Sequence, residues 1–98
     1  MRYLIILSLL FILGCNYSQA QWDAGELYRK YEGLDCKGRV KILVKRMALR
    51  NETFDIVKGK YIDTPHIWVE QDGKIIDPSV QVVKEWYQEE NRITIHAR

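Results

Sequence analysis

The sequence predicts an α+β domain in which two helices precede a small antiparallel sheet. Three observations carry this expectation. Two early segments repeat their apolar residues at three- and four-residue steps. After Asn51 the period falls to two, and Asp72-Gly73 stands between two short strand-like runs, the strongest short-range hairpin signal. Helices first and strands afterwards are the order of an α+β chain.

Taken in order, Ala24, Leu27, Tyr28 and Tyr31 give the stretch Trp22 to Tyr31 one apolar helical face, and Gly33 ends it. The second helix, from Asp35 to Arg50, is clearer: Val40, Leu43, Val44, Met47 and Ala48 form a continuous stripe. Asp35 suits its N-cap, which puts Cys36 in the first turn and, four residues before Val40, on the apolar face. Asn51 closes the helix. Thr53 to Tyr61 reads as a strand interrupted by Gly59, and Thr64-Pro65 as a break. His66 to Gln71 and Lys74 to Ile76 form the hairpin, and Pro78 ends its second strand. Val80 to Tyr87 reads as a short helix carrying Val83, Trp86 and Tyr87, and Arg92 to His96 as a last strand.

A chain of 98 residues allows at most one domain. Arg2, the apolar run Leu4 to Leu13 and the small residues after it have the layout of an export signal, too short for the roughly 20 apolar residues that span a bilayer. Ile12-Leu13-Gly14-Cys15 resembles a bacterial lipobox, which implies a signal over 1–14, lipid on Cys15 and a stable membrane anchor. The competing site is Ser18-Gln19-Ala20, with cleavage after Ala20. Residues 15–21 read as a polar tether and 22–98 as the domain. Asn16 after the cysteine resembles outer-membrane sorting, on the periplasmic side, if the host is a Gram-negative bacterium.

With either cut, Cys36 is the only thiol left to the exported domain, where an unpaired cysteine is the exception. From Cys15 onward 14 basic and 13 acidic residues remain, a formal charge of +1 with no basic stripe, so nucleic-acid binding has no support. Trp22, Trp68 and Trp86 with the aliphatic runs make a small core feasible.

If Asp72-Gly73 is a two-residue loop, Gln71 pairs with Lys74, Trp68 lies opposite Asp77 and His66 opposite Ser79. His66 and Asp77 then share one face, a diagonal step apart, within reach of a carboxylate–imidazole hydrogen bond. Such a pair makes chemical sense beside a thiol: the carboxylate fixes the tautomer, the imidazolium keeps the thiol ionised, and a helix N-terminus adds positive potential. Singly, a free cysteine also packs as a small hydrophobe, a strand histidine is commonly just hydrogen-bonded, and an aspartate before proline is an ordinary turn residue. Cys36, His66 and Asp77 each sit where that mechanism would want them.

Gly33-Leu34-Asp35-Cys36 at a helix start, His66-Ile67-Trp68-Val69-Glu70 on a strand and Gly73-Lys74-Ile75-Ile76-Asp77-Pro78 after a turn resemble the transglutaminase-like cysteine superfamily, a branch of the papain-like fold. The resemblance covers Gly33 to Ser79. It implies a minimal transglutaminase-like core with a nucleophile helix on a small sheet, Cys36 as nucleophile, His66 as base and Asp77 as its orienting partner. Lys37 and Gly38 stand where many members carry an aromatic residue, and the chain is shorter than most. Oxyanion donors in the family include the cysteine N–H and an upstream side chain, for which Gln21, Tyr28 and Tyr31 are candidates. The implied activity is hydrolysis or acyl transfer at amide bonds, peptide or isopeptide, of an envelope protein or a peptidoglycan peptide. The alternative is a non-catalytic envelope lipoprotein that uses the same fold as a binding module. No cofactor is expected, and two histidines with one free cysteine are too few for a zinc site. His96 reads as solvated, and Lys41, Lys45, Arg46 and Arg50 as the wet face of the Cys36 helix, able to contact anionic head groups.

Overall fold

The computed structural model describes residues 18–30 and 35–98. The export signal, Cys15, Tyr31 and Gly33 lie outside them. Helices α1 (Gln19–Lys30) and α2 (Cys36–Leu49) precede strands β1 (Phe54–Tyr61), β2 (Thr64–Gln71), β3 (Lys74–Ile76) and β4 (Tyr87–Ile95), with a 3-10 turn at Lys84–Trp86. The strands form one sheet in the order β3-β2-β1-β4, antiparallel at each pairing. The fold is α+β.

Helix α1 starts earlier than its apolar period indicates. The Gln21 N–H donates to Ser18 Oγ at 3.2 Å while the Ser18 N–H donates to Gln21 Oε1 at 2.8 Å, a reciprocal cap that satisfies two otherwise orphaned groups. Gln19 to Gln21, expected in a tether, therefore form the first turn, and Ala20 is fully buried. Ala24 and Leu27 continue that face onto Val40, Leu43 and Met47 of α2. Asp23 is buried at the same contact, 3.3 Å from Arg46 Nη1 and 2.7 Å from Arg50 Nη1. Arg46 and Arg50 are thus not a wet face: a carboxylate taken out of water draws in counter-charges, and they clasp α2 to α1.

At the start of α2, Asp35 accepts a hydrogen bond from the Gly38 N–H at 2.8 Å, the expected N-cap. At its end Asn51 takes a left-handed conformation, φ 59°, that closes the helix.

The β1–β2 connection is tighter than expected. Ile62 and Asp63 both have positive φ, 48° and 61°, and make a two-residue turn with Tyr61 opposite Thr64. The break expected at Thr64-Pro65 is absent, because β2 begins at Thr64. Pro65 pairs with Lys60 on one side, and β3 reaches only Val69 to Gln71 on the other, so its missing N–H leaves no ladder bond unmade there. Register across Asp72-Gly73 is the expected one: Gln71 with Lys74, Glu70 with Ile75, Val69 with Ile76.

Strict alternation sorts the sheet into two faces. Phe54, Ile56, Ile67, Val69 and Ile76 meet the helices and form the core. Asp55, Val57, His66, Trp68 and Glu70 lie on the outer face, where cross-strand pairs put Val57 beside Trp68 and Gly59 beside His66. Trp68 is 1% exposed, whereas Trp22 and Trp86 are 60% and 47% exposed, so one tryptophan of the three is buried. Arg92 bridges the outer face, binding Glu70 at 3.0 Å and pairing also with Asp55 and Glu89. Hydrogen bonds from Thr94 and Arg92 hold the Asp55 carboxyl below the usual carboxylate range.

The helix expected over Val80 to Tyr87 reduces to the 3-10 turn, and the last strand starts at Tyr87 instead of Arg92. After β3 the chain must pass to the opposite edge, a distance of three strand spacings or about 14 Å. Pairing of Tyr87 with Tyr61, and of the Ile62 N–H with the Trp86 carbonyl at 3.1 Å, draws Tyr87 into the sheet.

Strand β4 carries one extra residue: Glu89 faces Gly59 and Asn91 faces Lys58, leaving Glu90 as a bulge. Gly59 makes this approach feasible, since a Cβ there would lie 1.9 Å from the Gln88 carbonyl oxygen and 3.0 Å from Trp68 Cη2. Gly73 instead owes its place to its φ of 75°, with nothing within 4 Å of a built Cβ. Gly59→Ala should therefore destabilise by about 3 kcal/mol, the upper end for overpacking, against about 1 kcal/mol of left-handed strain for Gly73→Ala. Urea unfolding of both variants checks the order, which reverses if β4 can shift freely.

Candidate functional site

The outer face carries a buried polar group built on Asp77. Hairpin register brings Asp77, one residue past β3, beside the start of β2, and His66 Nε2 lies 2.6 Å from Asp77 Oδ2. The Asp77 side chain is 0% exposed and that of His66 7%. A buried carboxylate needs donors, and Asp77 has three. The Ser79 N–H donates to Oδ1 at 2.9 Å, and Tyr87 Oη donates to Oδ2 at 2.8 Å beside the imidazole. A carboxylate only accepts, so Nε2 bears the ring proton and Nδ1 is left as the basic nitrogen.

Aromatic rings pack around the pair. His66 stacks on Trp68 at 6.0 Å, and Tyr87 meets Trp68 edge-on at 4.8 Å and Tyr61 at 5.0 Å. Tyr61 Oη donates to the Gln81 carbonyl at 3.0 Å, holding the crossover segment over this cluster. The Trp68 Nε1–H donates to Glu70 Oε2 at 2.9 Å. The ring is thereby fixed in both plane and position.

Cys36 approaches from the other side of the sheet. It is a free, partly exposed thiol in the first turn of α2, where backbone N–H groups have no intrahelical partner. It shares with His66 a cleft of about 300 Å³, walled by Gly59, Pro65 and Ile67 and carrying Lys37, Lys58 and Glu90. The β4 bulge turns Glu90 toward this cleft. Among the described residues no hydrogen bond joins the thiol to the imidazole. His66 and Asp77 are in contact, and Cys36 lines the same cleft as His66.

The upstream oxyanion candidates lie elsewhere. Gln21 uses its side-chain oxygen in the α1 cap and lines a cavity with Trp22, Gly25 and Arg29. Tyr28, half exposed, lines another cavity with Asp77, Val80 and Gln81. Neither lines the Cys36 cleft, and Tyr31 is outside the described residues. His96 is exposed. Among the described residues no cluster of three or more potential metal ligands occurs, and no helix is long and apolar enough to cross a membrane.

Tyr87 is the residue of this site that the sequence analysis missed, having placed it in a helix. The run Tyr87 to Asn91 has no period-two apolar pattern and the bulge at Glu90 breaks its parity with Ile93 and Ile95, so no local signal marked it. No family model, curated protein or solved structure matches this chain.

Burial and then the Asp77 charge push the Tyr87 phenol well above its ordinary range. The folded chain thus holds this proton more firmly than the unfolded chain. Its contribution to stability is complete below about pH 10 and is lost as the pH rises beyond that. Tyr87→Phe should cost about 1 to 2 kcal/mol at pH 8 by loss of a bond to a charged acceptor, yet decline less steeply above about pH 10. Urea unfolding from pH 8 to 11 checks both; parallel declines would mean that the phenol does not carry the effect.

Proposed function

We propose that this chain is a cysteine hydrolase or acyltransferase acting on amide bonds, built on a transglutaminase-like scaffold and held to a cell-envelope membrane by lipid on Cys15. The observation that carries the reading is the buried His66–Asp77 pair, 2.6 Å long, with Cys36 lining a cleft that His66 also lines. Cys36, as thiolate, attacks the carbonyl carbon, and His66 takes the thiol proton on Nδ1 and gives it to the departing amine. Asp77 holds the ring and stabilises the imidazolium. The Cys36 N–H faces the oxyanion, with the helix terminus behind it. Water assisted by His66 then cleaves the thioester to an acid, or an amine takes the acyl group. Lys37, Lys58 and Glu90 line the cleft beside Cys36. A peptide or isopeptide of an envelope protein or of peptidoglycan is the substrate class this location offers.

We take Cys15 rather than the bond after Ala20 as the processing point. Cleavage after Ala20 discards Ser18, which caps α1, and Ala20, which is fully buried. A chain beginning at Gln21 should be less stable than one beginning at Asn16 by about 2 kcal/mol, from a lost cap and lost apolar burial. Equal urea midpoints would return the choice to Ala20.

The binding-module reading draws on one observation, the missing bond between thiol and imidazole in the resting arrangement. Alkylation separates the two readings. An unassisted thiol is only ~1% ionised at pH 6.5. If His66 supplies the counter-charge, Cys36 reacts with iodoacetamide near pH 6, and His66→Ala slows it about tenfold or more. A rate indifferent to His66 that rises only at ~8.5 leaves the binding module.

A further inference from the structure

We propose that Tyr87 is a positioning residue for the His66–Asp77 pair, setting how much negative charge Asp77 presents to the imidazole; this rests on the thiol–imidazole reading above. Asp77 Oδ2 is one oxygen with two donors, His66 Nε2 at 2.6 Å and Tyr87 Oη at 2.8 Å. A donor on that oxygen drains charge from it and weakens its hold on an imidazolium. The third donor, the Ser79 N–H, is on Oδ1 and keeps the carboxylate in place when Tyr87 changes.

The phenol suits this role. Its ring is fixed by edge-on contacts with Trp68 and Tyr61, so Oη has little freedom to turn elsewhere. Burial and the Asp77 charge keep it protonated, so it donates at every pH where a thiolate–imidazolium pair would form. The arrangement also joins the two ends of the crossover: Asp77 leaves β3 and Tyr87 enters β4. A thiol enzyme gains from such a tempering contact, because an imidazolium held too firmly releases its proton slowly to the leaving amine.

Other charged groups face the pair and remain constant in the comparison. Asp77 shares a cavity with Tyr28 and Arg29 of α1. His66 faces Tyr61 of β1 at 5.6 Å and shares its cleft with Cys36 and Lys37 of α2, Lys58 of β1 and Glu90 of β4.

The test is a pH titration of the histidine ring resonances by NMR on the full mature chain in detergent, with the exposed His96 as internal reference. In Tyr87→Phe the His66 resonances should titrate higher than in the unaltered chain by about half a pH unit or more, roughly a threefold gain in proton affinity. Tyr61→Phe removes a hydroxyl that bonds the Gln81 carbonyl instead, and should leave His66 where it was. Incorporation of 3-fluorotyrosine, which makes the phenol a stronger donor without moving it, should shift His66 the opposite way. An unmoved His66, or equal shifts in the two phenylalanine variants, overturns the proposal. The titration needs neither substrate nor a reactive thiol. A specific shift therefore upholds Tyr87 even where Cys36 alkylation ignores His66, the result that would sink the thiol chemistry instead.

Discussion

The arrangement depends on a carboxylate taken out of water. Asp77 has no exposed side-chain surface, and an ionised group so placed survives only if donors replace its hydration. Those donors come from β2, β4 and the crossover, three separate pieces of chain. One requirement thus orients His66, places the first residue of β4 and pins the turn after β3. Fold and candidate site share the same hydrogen bonds, so a change that harms one harms the other.

What was legible in the sequence was local. Asp35 as a cap, the α2 stripe and the Asp72-Gly73 hairpin depend on residues within a few positions of one another, and the hairpin register alone put His66 and Asp77 on one face. What was not legible depends on partners distant in sequence. Pro65 reads as a break until one knows that β3 stops short of it. Tyr87 reads as helical until Tyr61 and Asp77 are beside it. Arg46 and Arg50 look solvated because nothing near them in sequence reveals the buried Asp23. Similarly, Ser18 and Gln21 form a cap only because Ala20 has a core to enter.

The two faces of the sheet divide the work. Aliphatic residues on the helix face supply most of the burial, while the outer face spends its positions on an aromatic and ionic network: His66 and Tyr87 at one end, Arg92 with its carboxylates at the other, and Trp68 between them. Gly59 lets the two halves meet, since its missing side chain admits the β4 backbone and the edge of Trp68. The same irregularity sends Glu90 toward the cleft of the thiol. A regular strand would have kept that carboxylate on the Arg92 side.

The early start of α1 bears on reach. If Cys15 carries the lipid, the Ser18 cap of α1 is only three residues further on, a span of at most about 11 Å. That leash is shorter than the domain itself is wide. The protein would sweep a thin layer next to the bilayer, and only partners that come down to the membrane surface, or are themselves embedded in it, would fall within its radius.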